Sequence, residues 1–198
     1  MARRVGLTRA VVVEAAAALA DRDGLASLTL AKVAHELGVT RQSLAAHVAG
    51  VDGLRRELFV LRTRLLGERV TRAVLGRSHR DALRAYVEAS IAFDREHPGL
   101  LEAQRYVPAP DDHEAWEGIR QVREPLSAVL AAYELSEQEL VHWHRIISSA
   151  VHGYATFRAA GMLLTYGAPH AETIDTMVDA FAAGLRAAQR RRRRVGTG

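Results

Sequence analysis

The chain reads as all-α, with about nine helices. The first three form an N-terminal helix-turn-helix domain and the rest a larger C-terminal helical domain. Three observations carry this reading. Apolar residues recur every three to four positions through most of the sequence. Threonine or serine opens, and glycine closes, many of the periodic runs. No strand-like alternation of any length appears, and there is no internal repeat.

Thr8 can cap a first helix that runs to about Arg22, with Val11, Val12, Ala15, Ala16 and Leu19 at helical spacing and Gly24 in the stop position. Thr29 can cap a second helix to Leu37, and Thr40 a third from about Arg41 to Val48. Gly50 breaks the chain before a long fourth helix over about 52–75, with Leu54, Leu58, Leu61, Leu65 and Val70 on its apolar face. A fifth helix spans about 80–96 and stops ahead of Pro98, because proline clashes with a preceding helical residue. A short sixth follows over about 99–105, and the VPAPDD stretch at 107–112 is a loop. The seventh helix covers about 112–133, with Pro125 expected to kink or split it. Ser136 and Glu139 make a capping box for the eighth, about 137–162. YGAPHA is a turn, the ninth helix spans about 171–190, and an arginine run follows.

The most specific stretch is LAKVAHELGVTRQSLAAHVA, residues 30–49. A steep crossing of two helices leaves room for little beyond a methyl, which suits Ala34. The reversal after the first of them wants a positive φ, which suits Gly38. Val33, Leu37, Val39 and Leu44 hold the second helix against the first and free its outer face for a DNA groove.

Charge is distributed unevenly. Residues 1–80 carry 14 Arg/Lys against 7 Asp/Glu, residues 81–189 carry 8 against 16, and residues 190–194 are five arginines. A basic reader on an acidic body suits docking on DNA through one end. The absence of cysteine excludes disulfides and thiolate metal sites. No apolar run approaches the ~18 residues of a membrane span, and the start of the chain lacks a signal-peptide pattern. The expectation is a soluble, cytoplasmic protein with no membrane partner. The division expected is a DNA-binding domain at 1–50 with 51–76 as connector, an effector-binding and dimerisation domain at 77–189, and a disordered arginine-rich tail at 190–198.

The eighth and ninth helices each carry two apolar stripes. One is large: Trp143, Ile147, Val151 and Tyr154, then Ile174, Met177, Val178, Phe181 and Leu185. The other is small: Ser149, Gly153, Thr156 and Ala160, then Ala180, Gly184, Ala187 and Ala188. A helix apolar on two faces must bury both. The large stripe suits the chain's own core and the small one a second copy, in a four-helix bundle about a two-fold axis. The other reading is a pair of central helices in a monomer.

Residues 8–59 resemble the DNA-binding domain of the TetR family of bacterial regulators. The resemblance runs through Ala15–Ala18 with Leu19, Gly24, Leu28-Thr29, Ala34, Leu37-Gly38-Val39, Leu44, His47, and Asp52 with Leu54. Ala150-Val151-His152-Gly153, with Gly161 beyond it, is similar to the His-Gly motif of one subset of TetR-type C-terminal domains. The resemblance implies a homodimeric repressor of a palindromic operator in double-stranded DNA, released by an unidentified small molecule. It also implies roles. Thr29 and Thr40 cap their helices and meet phosphates, as free N–H groups and the dipole favour. Arg41, Gln42 and Ser43 open the recognition helix, where arginine suits guanine and glutamine suits adenine. His47 lies near the backbone, and Arg3, Arg4 and Arg9 add phosphate contacts from an N-terminal arm. This chain has Ala45, Ala46 and Val51 where the family usually carries tyrosine, a larger residue and lysine. Losing those phosphate contacts lowers the salt slope by ~0.9 for each, and Ala45 and Ala46 could read thymine methyls instead.

Other chemistry finds little support. His142 and His144 are two apart and diverge, while His144 and His152 share a face but lie ~12 Å apart at 1.5 Å per residue. No metal site is expected, nor one from His79, His97, His113 or His170; His152 reads as buried and hydrogen-bonded. There is no phosphate loop, nucleophile motif or paired-carboxylate pattern, so no enzyme and no cofactor is expected; Asp111, Asp112 and Glu114 read as a solvated helix start. Phe93, Tyr106, Trp116, Trp143, Tyr154 and Phe157, with Gln104, Ser148 and His152, could line an effector pocket; read as core, the aromatics are packing alone.

Overall fold

A computed structural model describes residues 6–195. Among them are nine α-helices: α1 (Arg9–Asp23), α2 (Leu30–Leu37), α3 (Arg41–Leu44), α4 (Gly50–Val74), α5 (His79–Glu96), α6 (Pro98–Ala103), α7 (His113–Ala131), α8 (Glu137–Ala159) and α9 (His170–Val195). Two 3₁₀ turns, Leu25–Ser27 and Met162–Tyr166, complete the order, and no strand occurs among the described residues.

The ends of the helices follow their caps. Thr8 accepts from the Val11 amide and Thr29 from the Lys32 amide. Ser136 and Glu139 make the reciprocal capping box of α8. Gly24 closes α1 at φ 82°, and Pro98 occupies the first turn of α6, where a missing N–H costs nothing.

Four elements differ from the sequence expectation. Helix α3 stops at Leu44. The Ala45 and His47 amides bond three residues back, to Gln42 and Leu44, so the chain tightens into a turn that brings both Leu44 and Val48 into the core. Helix α7 continues through Pro125, which is buried within it. Helix α8 ends at Ala159, with Gly161 left-handed behind it. The arginine run, expected to be disordered, is the last part of α9, which extends to Val195. Arginine is a good helix former, cations suit a helix C-terminus, and Arg193 forks onto Glu134, Nη2 to Oε1 at 2.9 Å. Residues 196–198 lie outside the described residues.

The chain packs as two units. One comprises the chain up to Thr63 together with His97–Gly118; the other comprises Arg64–Glu96 and the chain from Ile119 onward. The boundaries therefore differ from those expected at residues 50 and 77, because the excursion through α6 to the start of α7 packs with α1 and α4. In the first unit Val12, Ala16, Leu28, Val33, Leu44, Leu54 and Leu58 form the core. The crossing of α4 and α7 there is close: a Cβ on Gly118 would lie 2.2 Å from Thr63 Oγ1. In the second unit α5 packs against α8 and α9, with Val87, Ile91, Ile147, Val151, Val178 and Leu185 buried. The large stripes of α8 and α9 are thus mostly core, as read from the sequence.

Candidate nucleic-acid interface

The interface is built by one turn. Gly38 sits at φ 64°, ψ 33°, in the left-handed region that a side chain adopts only at a cost of ~1–2 kcal/mol. Its amide and that of Val39 both reach back to Ala34, and the Gly38 amide also to His35, so the last carbonyls of α2 are satisfied as the chain reverses. Thr40 then restarts the helix: its Oγ1 accepts from the Ser43 amide at 3.1 Å and lies 2.8 Å from Ser43 Oγ. Ala34 and Leu44 are buried on the inner side, at 4% and 0% exposure.

The outer side is what this leaves. Arg41, Gln42, Ser43, Ala45 and Ala46 are exposed, and His47 is half-buried. Thr29 and Thr40 are exposed at the N-termini of α2 and α3, with both hydroxyls already accepting a cap bond. The structure therefore brings together eight of the ten residues read as DNA-facing. Arg3 and Arg4 lie outside the described residues. Arg9 is not a free arm residue: its guanidinium spans Glu57, at 2.6 and 2.8 Å, and Glu114, at 2.8 Å.

That pairing belongs to a network missed in the sequence. Arg56 forks onto Asp112 and also reaches Glu114, both in the segment that opens α7. Asp112 is not a solvated carboxylate: its side chain is 8% exposed, and Arg56 holds its pKa below the ordinary value. Arg9 does the same for Glu114. These partners are far apart in the chain, so no local pattern announces them.

The side chains read as an effector pocket divide between the units. Gln104, Tyr106 and Trp116 belong to the first; Phe93, Trp143, Tyr154, Ser148, His152 and Phe157 to the second. Several are engaged in other ways. Tyr106 packs against Phe59 at 5.3 Å and donates to Asp112 at 3.2 Å. It also lines a groove of about 300 Å³ with Leu25, Ala26, Arg55, Ala103 and Arg105. Trp116 is exposed and donates from Nε1 to the Ala109 carbonyl. The Tyr154 hydroxyl lies 2.6 Å from His170 Nδ1, and Phe157 is exposed. His152 is half-buried rather than buried, its Nδ1 3.4 Å from the carboxylate of Asp94, which is fully enclosed.

The small stripes fare unequally. Ser149, Ala160 and Ala180 are exposed, and Gly153, Thr156 and Ala187 half-exposed. A Cβ on Gly153 would meet nothing within 4 Å. Gly184 has an intrachain reason instead: a Cβ there would lie 2.4 Å from the ring of Trp143, which packs across it from α8. His144 is buried, 2.8 Å from Ser127, and burial holds its pKa below 6.5.

Residues 83–181 match the family model described as the tetracyclin repressor-like C-terminal domain. The chain is 31% identical over 167 residues to an HTH-type transcriptional regulator of Mycobacterium tuberculosis, an alignment covering 82% of this chain and 75% of that one. Its fold is similar to that of a protein from Rhodococcus sp. RHA1, with a TM-score of 0.77, 24% identity, and coverage of 92% and 97% of the two chains. It is also similar to a TetR from Acinetobacter baumannii AYE in complex with minocycline, with a TM-score of 0.64, 21% identity, and coverage of 96% and 98%.

Proposed function

The chain belongs to the TetR family of helix-turn-helix transcriptional regulators, and from that membership we propose that it is a homodimeric repressor of a palindromic operator, released by a small molecule. It is a regulator and not an enzyme, as its relatives are. The observation that carries the DNA-reading role is the left-handed turn at Gly38, which buries Leu44 while leaving Arg41, Gln42, Ala45 and Ala46 facing outward. Each subunit lays α3 in a major groove. Arg41 reads guanine and Gln42 adenine, the two alanines meet thymine methyls, and His47 lies near the backbone. The N-termini of α2 and α3, at Thr29 and Thr40, take phosphates.

Two copies are needed because half-sites lie one helical turn apart, ~34–36 Å. The second copy packs on the exposed face of α8, where Gly153 has empty space beside it and Ile146 and Phe157 stand at 49% and 51% exposure. Thr156, Ala160, Ala180 and Ala187 complete that face. Effector binding belongs to the helices beyond the reader, and the minocycline-bound neighbour supports a small-molecule role. The site of action is the cytoplasm; no helix among the described residues is long and apolar enough to cross a membrane.

Selection of bound sites from random duplexes at several salt concentrations tests this. The wild type recovers a palindrome. Arg41→Ala and Gln42→Ala each relax one base position, at ~1–3 kcal/mol. A protein that binds every duplex alike, or DNA no better than heparin, overturns the reading.

A further inference from the structure

The groove of about 300 Å³ beside Tyr106 lies wholly within the first unit, between the 3₁₀ turn Leu25–Ser27, α4 and the exit from α6. The way α6 ends explains its make-up. The Arg105 amide bonds to the Glu102 carbonyl at 3.3 Å, and the Tyr106 amide to that of Ala103 at 3.1 Å. Side chains three apart eclipse in this tight pattern. Glu102 therefore stands over Arg105, and Ala103 over Tyr106 beside them, and all four line the groove.

The apolar part has a fixed shape. Ala103 is buried, and Leu25 and Ala26 come in from the 3₁₀ turn. The Tyr106 ring is 5.3 Å from that of Phe59, and its hydroxyl has already given its proton to Asp112, at 3.2 Å. The charged part is uncommitted. Arg55 also lines the groove and pairs with Asp52 at 3.1 Å. Glu102 and Arg105 are both exposed, and among the described residues neither side chain has a hydrogen bond or an ion pair, even with the other. One carboxylate and one guanidinium thus stand open beside an apolar wall. A simple anion answers only Arg105, and a simple cation only Glu102. A nucleic-acid phosphate is repelled by Glu102 and has no use for Leu25, Ala26 and Ala103. A small zwitterion with an apolar body answers every part.

We propose that this groove binds an apolar α-amino acid, with its carboxylate at Arg105, its ammonium at Glu102, and its side chain against Leu25, Ala26, Ala103 and Tyr106. The volume stands at the lower end of small-molecule sites, ~300–1,000 Å³, and suits a ligand the size of phenylalanine. The site lies in the DNA-reading unit, separate from the effector role proposed for the helices beyond it, and depends neither on dimerisation nor on an operator.

The test is titration calorimetry on the full-length chain with L-phenylalanine, hydrocinnamate, which lacks the ammonium, and phenethylamine, which lacks the carboxylate. The wild type binds one phenylalanine per chain, and each truncated ligand about tenfold more weakly, as the loss of a hydrogen bond to a charged group implies. Glu102→Gln weakens phenylalanine and phenethylamine about tenfold and leaves hydrocinnamate unchanged. Arg105→Met weakens phenylalanine and hydrocinnamate and leaves phenethylamine unchanged. Ala26→Phe fills the groove and abolishes all three. Both charged side chains are exposed, so urea midpoints stay at the wild-type value. A wild type with no saturable binding at millimolar phenylalanine overturns the proposal. So does binding that the three variants leave intact, which would put the ligand elsewhere on the chain. Weakened binding of duplex DNA by Arg105→Met, with no phenylalanine bound by the wild type, overturns it in favour of a phosphate contact.

Discussion

Leucine at position 153 decides whether α8 meets a second copy. Gly153 lies within α8, and a Cβ built on it has open space to at least 4 Å. Glycine inside a helix costs ~0.5–1 kcal/mol relative to alanine, and nothing in its own chain demands it there. Exposed Ile146 and Phe157 flank the gap. With solvent in that gap, Gly153→Leu is accommodated and the chain gains helix propensity. Alanine there would raise the melting temperature by a few degrees at ~2–4 °C per kcal/mol. With the helix of a second copy in the gap, the added side chain overpacks the contact by ~1–3 kcal/mol, and two-fold symmetry doubles this to ~2–6 kcal/mol. At 1.4 kcal/mol per tenfold, the dimer Kd rises at least ~30-fold. Sedimentation equilibrium over a range of concentrations measures it. A Gly153→Leu protein with an unchanged dimer Kd and a raised melting temperature would refute the reasoning and return this face to solvent.

Two further outcomes follow from single side chains. Gly99→Ala brings a methyl to 2.6 Å from both the Cβ and the carbonyl oxygen of Ala20, so α6 must lift off α1. Denaturant unfolding should lose ~1–3 kcal/mol, and an unchanged midpoint would show that the crossing gives way freely. His144 is buried and kept neutral, with its pKa below 6.5 chiefly through burial and then through Arg123. As pH falls through 6.5, the unfolded chain takes up a proton that the folded chain refuses. Stability therefore declines, until the pH passes below the folded value and both states carry the proton. Urea melts at pH 7.5 and pH 5.5 should show a smaller loss for His144→Gln than for the wild type; equal losses contradict this account.

The start of α1, α2, α3 and α8 was legible because a capping hydroxyl acts within three residues: Thr8 on Val11, Thr29 on Lys32, Thr40 on Ser43, Ser136 on Glu139. The reversal at Gly38 was legible for the same reason, as its bonds reach only to Ala34 and His35. The arginine run was misread because adjacent like charges suggest a solvated coil, whereas Glu134, in the turn after α7, lies beside Arg193 only once the chain has folded. Gly184 was read from the sequence only as one of a stripe of small residues facing a second copy, and the ring of Trp143 that a Cβ there would meet at 2.4 Å came to light only in the folded chain.

By itself, then, the order of residues determined the helices, most of their ends and the turn that turns α3 outward, since capping, stopping and apolar periodicity operate over a few neighbouring positions. Only the tertiary structure decided that Arg56 meets Asp112, that Asp21 caps α6, and that residues 97–118 belong with the reader. Those facts depend on distances between groups remote along the chain, and no periodicity encodes a distance.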